Sequence, residues 1–223
     1  MPRHRDKAEF LSDELNAEWK SRLGVRDGRF QLECSREETV YFTRPADAVL
    51  IQEEIAKHCA VRVFVDAFAC IGGDTIAAMY VHRAADVHAV QRARSGEERA
   101  RYERLGQNLR MVRKVCRRSG AVRWYDVDIG NFLMQCPLSE ISVLYLDPPW
   151  AVGPDPSVVS PNDEIREFLW QNVFRFRTPA VICLKLPRRV EDVAEWPGEG
   201  FECVAEMNLR RKYFVYILKR ADV

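Results

Sequence analysis

Apolar residues return every three to four positions at Phe10, Leu11, Leu15, Trp19 and Leu23, and this spacing predicts a helix over 7–23. A turn follows at Asp27-Gly28. Pro45 suits a first helical turn and opens a second helix, with Val49, Ile51 and Ile55 on its apolar side. Then the pattern changes to apolar runs of strand length alternating with helical segments. RVFVDAF (62–68) leads into the helix of GGDTIAAMYV (72–81), and DVHAV (86–90) into a long helix within 97–118. VRWYDV (122–127) leads into a short connection, and SVLYLD (142–147) into a loop and the helix DEIREFLWQNVF (163–174). AVICLKL (180–186) is the fifth run. FECVAEMNL (201–209) and KYFVYILKR (212–220) close the chain as two strands joined by a basic turn. Strand–helix alternation implies a parallel sheet, and the closing pair reads as a hairpin at its edge. Strands this uniformly apolar fit a sheet covered on both faces. The predicted architecture is α/β: a mostly parallel seven-stranded sheet, a C-terminal antiparallel hairpin and a small N-terminal helical extension.

With 223 residues, no internal repeat and no Gly/Ser linker, the chain is most simply one folded unit with a sizeable core. Apolar residues make up 47% and charged residues 30%, and no apolar run nears the ~20 residues of a membrane span. The N-terminus, MPRHRDKAEF, does not read as a signal peptide, so the expectation is an intracellular, non-secreted protein. Seven cysteines without a CxxC pair, and four histidines without ligand spacing, predict reduced thiols and no metal site. Net charge is only +1, but between Arg92 and Arg118 ten Lys or Arg face three Glu. Smaller basic clusters stand at 3–5, 187–189 and 210–212. The long cluster fits a phosphate-rich partner or a solvated arginine-rich helix equally well.

In open parallel sheets ligands sit beyond the carboxyl ends of the strands. Two strand ends here carry unusual chemistry. After the first strand, Asp66 precedes Gly72-Gly73 at the start of a helix, where glycines let a ligand approach the backbone and free N–H groups face an anion. The stretch is neither GxGxxG nor a Walker motif. An acidic group there can hold an ammonium or an amino-acid moiety. After the fourth strand comes LYLDPPWAVGPD (144–155). Prolines stiffen the backbone and remove donors, leaving carbonyls to point outward. Asp147 and the Pro148 carbonyl can then both accept from one exocyclic amino group, while Trp150 stacks on the attached base, worth ~1–3 kcal/mol. Nucleobase amines are poor nucleophiles, so positioning one against an activated methyl is the main catalytic need. The bland reading is an aspartate capping a loop beside a buried tryptophan.

Asp-Pro-Pro-aromatic after a DxFxxxGG turn resembles the signature of Rossmann-like, S-adenosylmethionine-dependent amino-methyltransferases of class I. More narrowly the chain resembles the trimethylguanosine synthase family, which dimethylates N2 of a 7-methylguanosine RNA cap. The matching stretches are Trp19, Asp27-Gly28, YFTRP (41–45), VDAFACIGGDT (65–75), DPPWAVGPDP (147–156), LPRR (186–189) and KYFVYILKR. The resemblance implies a methyltransferase domain over 45–223 and an N-terminal helical extension, 1–44, covering the substrate pocket. It implies S-adenosylmethionine bound by Phe42, Thr43, Asp66, Phe68, Gly72, Gly73, Asp74, Thr75, Gln91, Asp128 and Asp147. Asp147, Pro148 and Trp150 would be catalytic, with Trp150 stacked on the cationic guanine, and Lys20 or Arg22 and Arg188 would meet the cap triphosphate. The implied partner is capped RNA of the small nuclear or nucleolar kind, and the implied residence nuclear. Three positions depart from the family: Cys70 stands where glycine is usual, Gln91 where an acidic residue meets the ribose, and Asp147 where serine is usual. The last admits other amines, adenine N6 or internal guanine N2. The first two also admit a pseudo-methyltransferase that binds RNA or a protein without turnover.

Overall fold

The computed structural model describes residues 10–26, 28–116, 120–136, 141–149, 161–175 and 179–222. Three helices precede the sheet: α1 (Asp13–Leu23), α2 (Arg36–Tyr41) and α3 (Pro45–His58). The sheet is built from β1 (Val63–Asp66), β2 (Asp86–Val90), β3 (Val122–Tyr125), β4 (Val143–Leu146), β5 (Val181–Leu186), β6 (Phe201–Leu209) and β7 (Tyr213–Arg220). Between the strands run α4 (Gly73–Val81), α5 (Gly96–Val115), α6 (Ile129–Gln135) and α7 (Pro161–Leu169), the last continuing as a π-helical stretch, Trp170–Phe174. Strand order is β3-β2-β1-β4-β5-β7-β6, with β1 to β5 parallel and β7 antiparallel to both neighbours. The predicted seven-stranded sheet with its terminal hairpin is therefore borne out.

Helices cover both faces. One core joins α1, α3, α4 and α5 to Phe64, Val143, Tyr145, Val181, Cys183, Val215 and Ile217. The other joins α6, α7 and the π-helical stretch to Val65, Leu144, Leu146, Ile182, Leu184 and Tyr216. These sets alternate along each strand, as the period of two demands. The order reverses between β1 and β4, so their carboxyl ends open the crevice where such sheets place ligands. Both unusual strand ends, Asp66 and Asp147, lie at that crevice.

Several sequence-level boundaries need correction. The first helix starts at Asp13, because Leu11 N–H donates to Leu32 O, Phe10 bridges Glu33, and Ser12 caps α1 by accepting from Leu15 N–H. A helix stands at 36–41 where none was predicted; Ser35 and Glu38 close a capping box. The short connection after β3 is helix α6, capped by the Asp128 side chain, which accepts from Asn131 N–H. Five strands are shorter than predicted, β1 by three residues and the others by one or two.

The arginine-rich run is largely absorbed by ion pairs inside the chain. Arg92 pairs with Glu98, Arg94 with Asp128, Arg99 with Asp126, and Arg110 lies over the Trp124 ring. Arg101 and Arg104 both reach Glu38, which is only 2% exposed. Burial works to raise the Glu38 pKa, but hydrogen bonds from Arg104 and Ser35 N–H and the two guanidinium charges hold it below the usual carboxylate value. Removing one partner of a buried pair strands the other charge. Glu38→Gln is expected to lower the unfolding free energy by about 3 kcal/mol at pH 7 in urea titrations. Glu38 stabilises above its unfolded pKa near 4.5, so the difference from wild type shrinks as pH falls through its lower folded value.

Candidate active site

Strand periodicity puts Asp66, Asp147, Lys185 and Tyr213 on one face of the sheet, at its carboxyl edge. Asp66 follows Phe64, Asp147 follows Val143 and Tyr145, Lys185 follows Val181 and Cys183, and Tyr213 precedes Val215. By register Asp66 stands opposite Tyr145, and Leu146 opposite Leu184, so Asp147 comes level with Lys185.

Lys185 is the centre of the cluster. It is 2% exposed, and its Nζ donates to Asp147 Oδ2 at 2.6 Å and to Thr43 Oγ1 at 2.8 Å. Asp74 Oδ2 lies 3.9 Å away and the Tyr213 ring centroid 4.6 Å away. Thr43 Oγ1 donates in turn to Asp74 Oδ2 at 2.7 Å. Burial would lower the lysine pKa, but the charges of Asp147 and Asp74 and the hydrogen bond to Asp147 outweigh it and hold the pKa above its ordinary value. The ammonium thus stays charged and fixes the Asp147 carboxylate at the crevice. This lysine was not among the residues singled out from the sequence. Its signal was there: one cation inside the apolar run VICLKL.

Asp66 is 1% exposed, accepting from Thr75 Oγ1 at 2.5 Å and from Phe68 N–H at 3.4 Å. Burial, then the Asp74 charge, push its pKa up to about 7. Charging it therefore costs stability progressively as pH rises from about 4 toward 7. Asp74, in the first turn of α4, has the opposite feature: its Oδ1 is buried with no hydrogen-bond partner among the described residues. A buried carboxylate oxygen left unsatisfied is costly, and a donor from a ligand would satisfy it.

The glycine turn has the shape its sequence suggested. Gly72 sits at φ 98, and a Cβ on Gly73 would lie 2.9 Å from the Phe42 ring. Phe42 and Thr43 thus lie directly on the turn, delivered by the end of α2. Cys70 takes φ 50, a left-handed conformation that glycine adopts freely, and its N–H donates to Gln91 Oε1 at 2.9 Å. The Gln91 amide also donates to Arg92 O, so both of its ends hold backbone. Burial pushes the Cys70 thiol up to about 12, which keeps it an inert thiol.

The structure brings together Phe42, Thr43, Asp66, Gly72, Gly73, Asp74, Thr75 and Asp147. Pro148 is buried directly after Asp147. Phe68 turns to the other core, with its ring 5.8 Å from that of Phe168. Asp128 is engaged elsewhere, accepting from Arg94 at 2.7 Å and from Asn131. Lys20 and Arg22 lie in the last turn of α1, where Arg22 meets Glu18 at 3.4 Å, and Arg188 is exposed after β5. Trp150 and the following residues through 160 lie outside the described residues. Trp19, matched to an early family tryptophan, is fully buried in the core. An open concavity of about 720 Å³ exists at the opposite edge, lined by Cys59, Arg62, Ser142 and Lys219 among others; it shares no residue with the cluster.

No protein-family model and no curated protein matches the chain. Solved structures do. A chain assigned as a methyltransferase, yhhF of Escherichia coli, superposes with TM-score 0.56 at 18% identity, covering 86% of this chain and 92% of its own. TrmN of Thermus thermophilus superposes with TM-score 0.51 at 13% identity, over 90% of this chain and 52% of its own. At such identities the likeness establishes a common Rossmann-like fold.

Lys185→Met removes the cation and leaves buried carboxylates uncompensated. Urea denaturation is expected to show a loss of about 3–5 kcal/mol, partly recovered in Lys185→Met/Asp147→Asn. Equal stability of wild type and Lys185→Met would contradict the ion-pair reading.

Proposed function

We propose that the protein is an S-adenosylmethionine-dependent RNA methyltransferase acting on an exocyclic amine, and that this amine is N2 of a 7-methylguanosine cap. The observation that carries the reading is the Asp147-Pro148 strand end, held by Lys185 beside the glycine turn at the crevice between β1 and β4. The fold shared with yhhF and the motif resemblance to trimethylguanosine synthase support it.

The residues fit the cofactor. The unpartnered Asp74 Oδ1 offers an acceptor to an amino-acid ammonium, with Asp66 behind it, and the Gly72-Gly73 turn admits a ligand against the backbone. S-adenosylmethionine, when bound, supplies an electrophilic methyl group. The chain's own task is to hold the acceptor amine. The Lys185 ammonium occupies Asp147 Oδ2 and so fixes the carboxylate's orientation. Asp147 and the Pro148 carbonyl then accept from the amine and direct its nitrogen lone pair at the methyl. The proton released from the amine after transfer leaves to Asp147 or to water. In this reading Trp150 would stack on the base, the N-terminal extension would cover the pocket, and Lys20, Arg22 and Arg188 would meet the cap phosphates. The departure at Asp147 favours a second target within the same chemistry, adenine N6 or an internal guanine N2.

Labelled cofactor with 7-methylguanosine-capped RNA, followed by nucleoside analysis, is expected to yield N2-methylated 7-methylguanosine. Asp147→Ala is expected to lower kcat by about 100-fold, and Asp147→Asn, which keeps one acceptor oxygen, to fall less. Label in N6-methyladenosine or internal N2-methylguanosine would move the target to those amines. No transfer to any RNA would overturn the enzymatic reading.

A further inference from the structure

The β6–β7 turn, Arg210-Arg211-Lys212, lies at the same carboxyl edge as the site. Register sets this: β7 runs antiparallel to β5 with Leu186 opposite Phe214, so Tyr213 and the turn before it extend past the end of β5. Tyr213 is also the residue whose ring lies under Lys185. Arg210 and Arg211 both have φ 56, in a turn closed by Lys212 N–H donating to Leu209 O. Hairpins with two positive-φ residues ordinarily use Asn or Gly, so two arginines here retain charge against local backbone preference.

The three basic side chains divide into two roles. Arg210 Nε donates to both oxygens of Asp47, at 3.0 and 2.7 Å, and Asp47 also accepts from Tyr213 Oη at 3.3 Å. Asp47 is itself buried in α3, so this contact holds the turn rigid. Arg211 and Lys212 are exposed and make no ion pair among the described residues. The long basic run before and along α5 differs, since most of its arginines are already paired.

We propose that Arg211 and Lys212 bind the sugar–phosphate backbone of the RNA segment leading away from the target base. This rests on the reading of RNA as substrate. Exposed cations on a held turn, without an ion pair among the described residues, place charge beside the crevice where the phosphates flanking the base must pass, and such contacts add affinity without sequence preference.

The test is the binding of a capped 20-nucleotide RNA and of the cap dinucleotide alone, by fluorescence anisotropy over a range of salt. The variant is Arg211→Gly/Lys212→Ser, in which glycine takes the positive φ without strain, so the turn is kept. The long RNA is expected to bind about tenfold more weakly at moderate salt, with the slope of log affinity against log salt reduced by about 1.4. The dinucleotide is expected to bind unchanged. Equal losses for both ligands, no loss for either, or a wild type that binds no RNA at low salt would overturn the proposal. Methyl transfer is read separately on the same samples. A wild type that binds long RNA through the turn but transfers no methyl upholds this site while ending the enzymatic reading.

Discussion

One buried ammonium holds the candidate site together. Asp66, Asp74 and Asp147 converge at one end of the sheet, and carboxylates gathered away from water repel one another unless a cation lies among them. Lys185 supplies it from the next-to-last position of an apolar strand, with its Nζ 4.6 Å from the Tyr213 ring centroid. The same Nζ hydrogen-bonds Thr43, so the segment before α3 is tied into the network. Sheet periodicity does the rest: residues two apart along a strand share a face, and Asp147, Lys185 and Tyr213 hold such positions at the carboxyl edge of the sheet.

The glycine turn adds a backbone constraint to this electrostatic one. Gly72 needs its positive φ, and Gly73 cannot take a side chain against Phe42. Cys70 accepts a left-handed conformation, and the Gln91 side chain secures it through the Cys70 N–H. The glutamine that departs from the family's acidic residue therefore has a structural task beside the cysteine that departs from its glycine. The two departures are one local solution: the amide holds the backbone of the residue whose side chain strains it.

Much of the fold was legible because long apolar strands alternate with helices, and DVHAV and FECVAEMNL matched their strands residue for residue. The glycine turn and Asp147 were legible because their residue types are rare at strand ends. Lys185 was not, since a lone lysine in an apolar run gives no hint of its partner, which lies 38 positions away in sequence. The helices at 36–41 and 129–135 were missed although both carry capping residues, because short helices have too few turns to display a period. The arginine run was ambiguous for a different reason. Its partners Glu38, Asp126 and Asp128 come from other elements, and only the fold decides that they meet.

The crystal structure of the protein with S-adenosylhomocysteine tests the central claim most directly. The account expects the ligand's amino-acid ammonium about 3 Å from the Asp74 carboxylate, at the Gly72-Gly73 turn, with Lys185 still on Asp147 and the Asp147-Pro148 edge facing the sulfur. A ligand seated away from this crevice, or one whose binding draws Lys185 off Asp147, would contradict it.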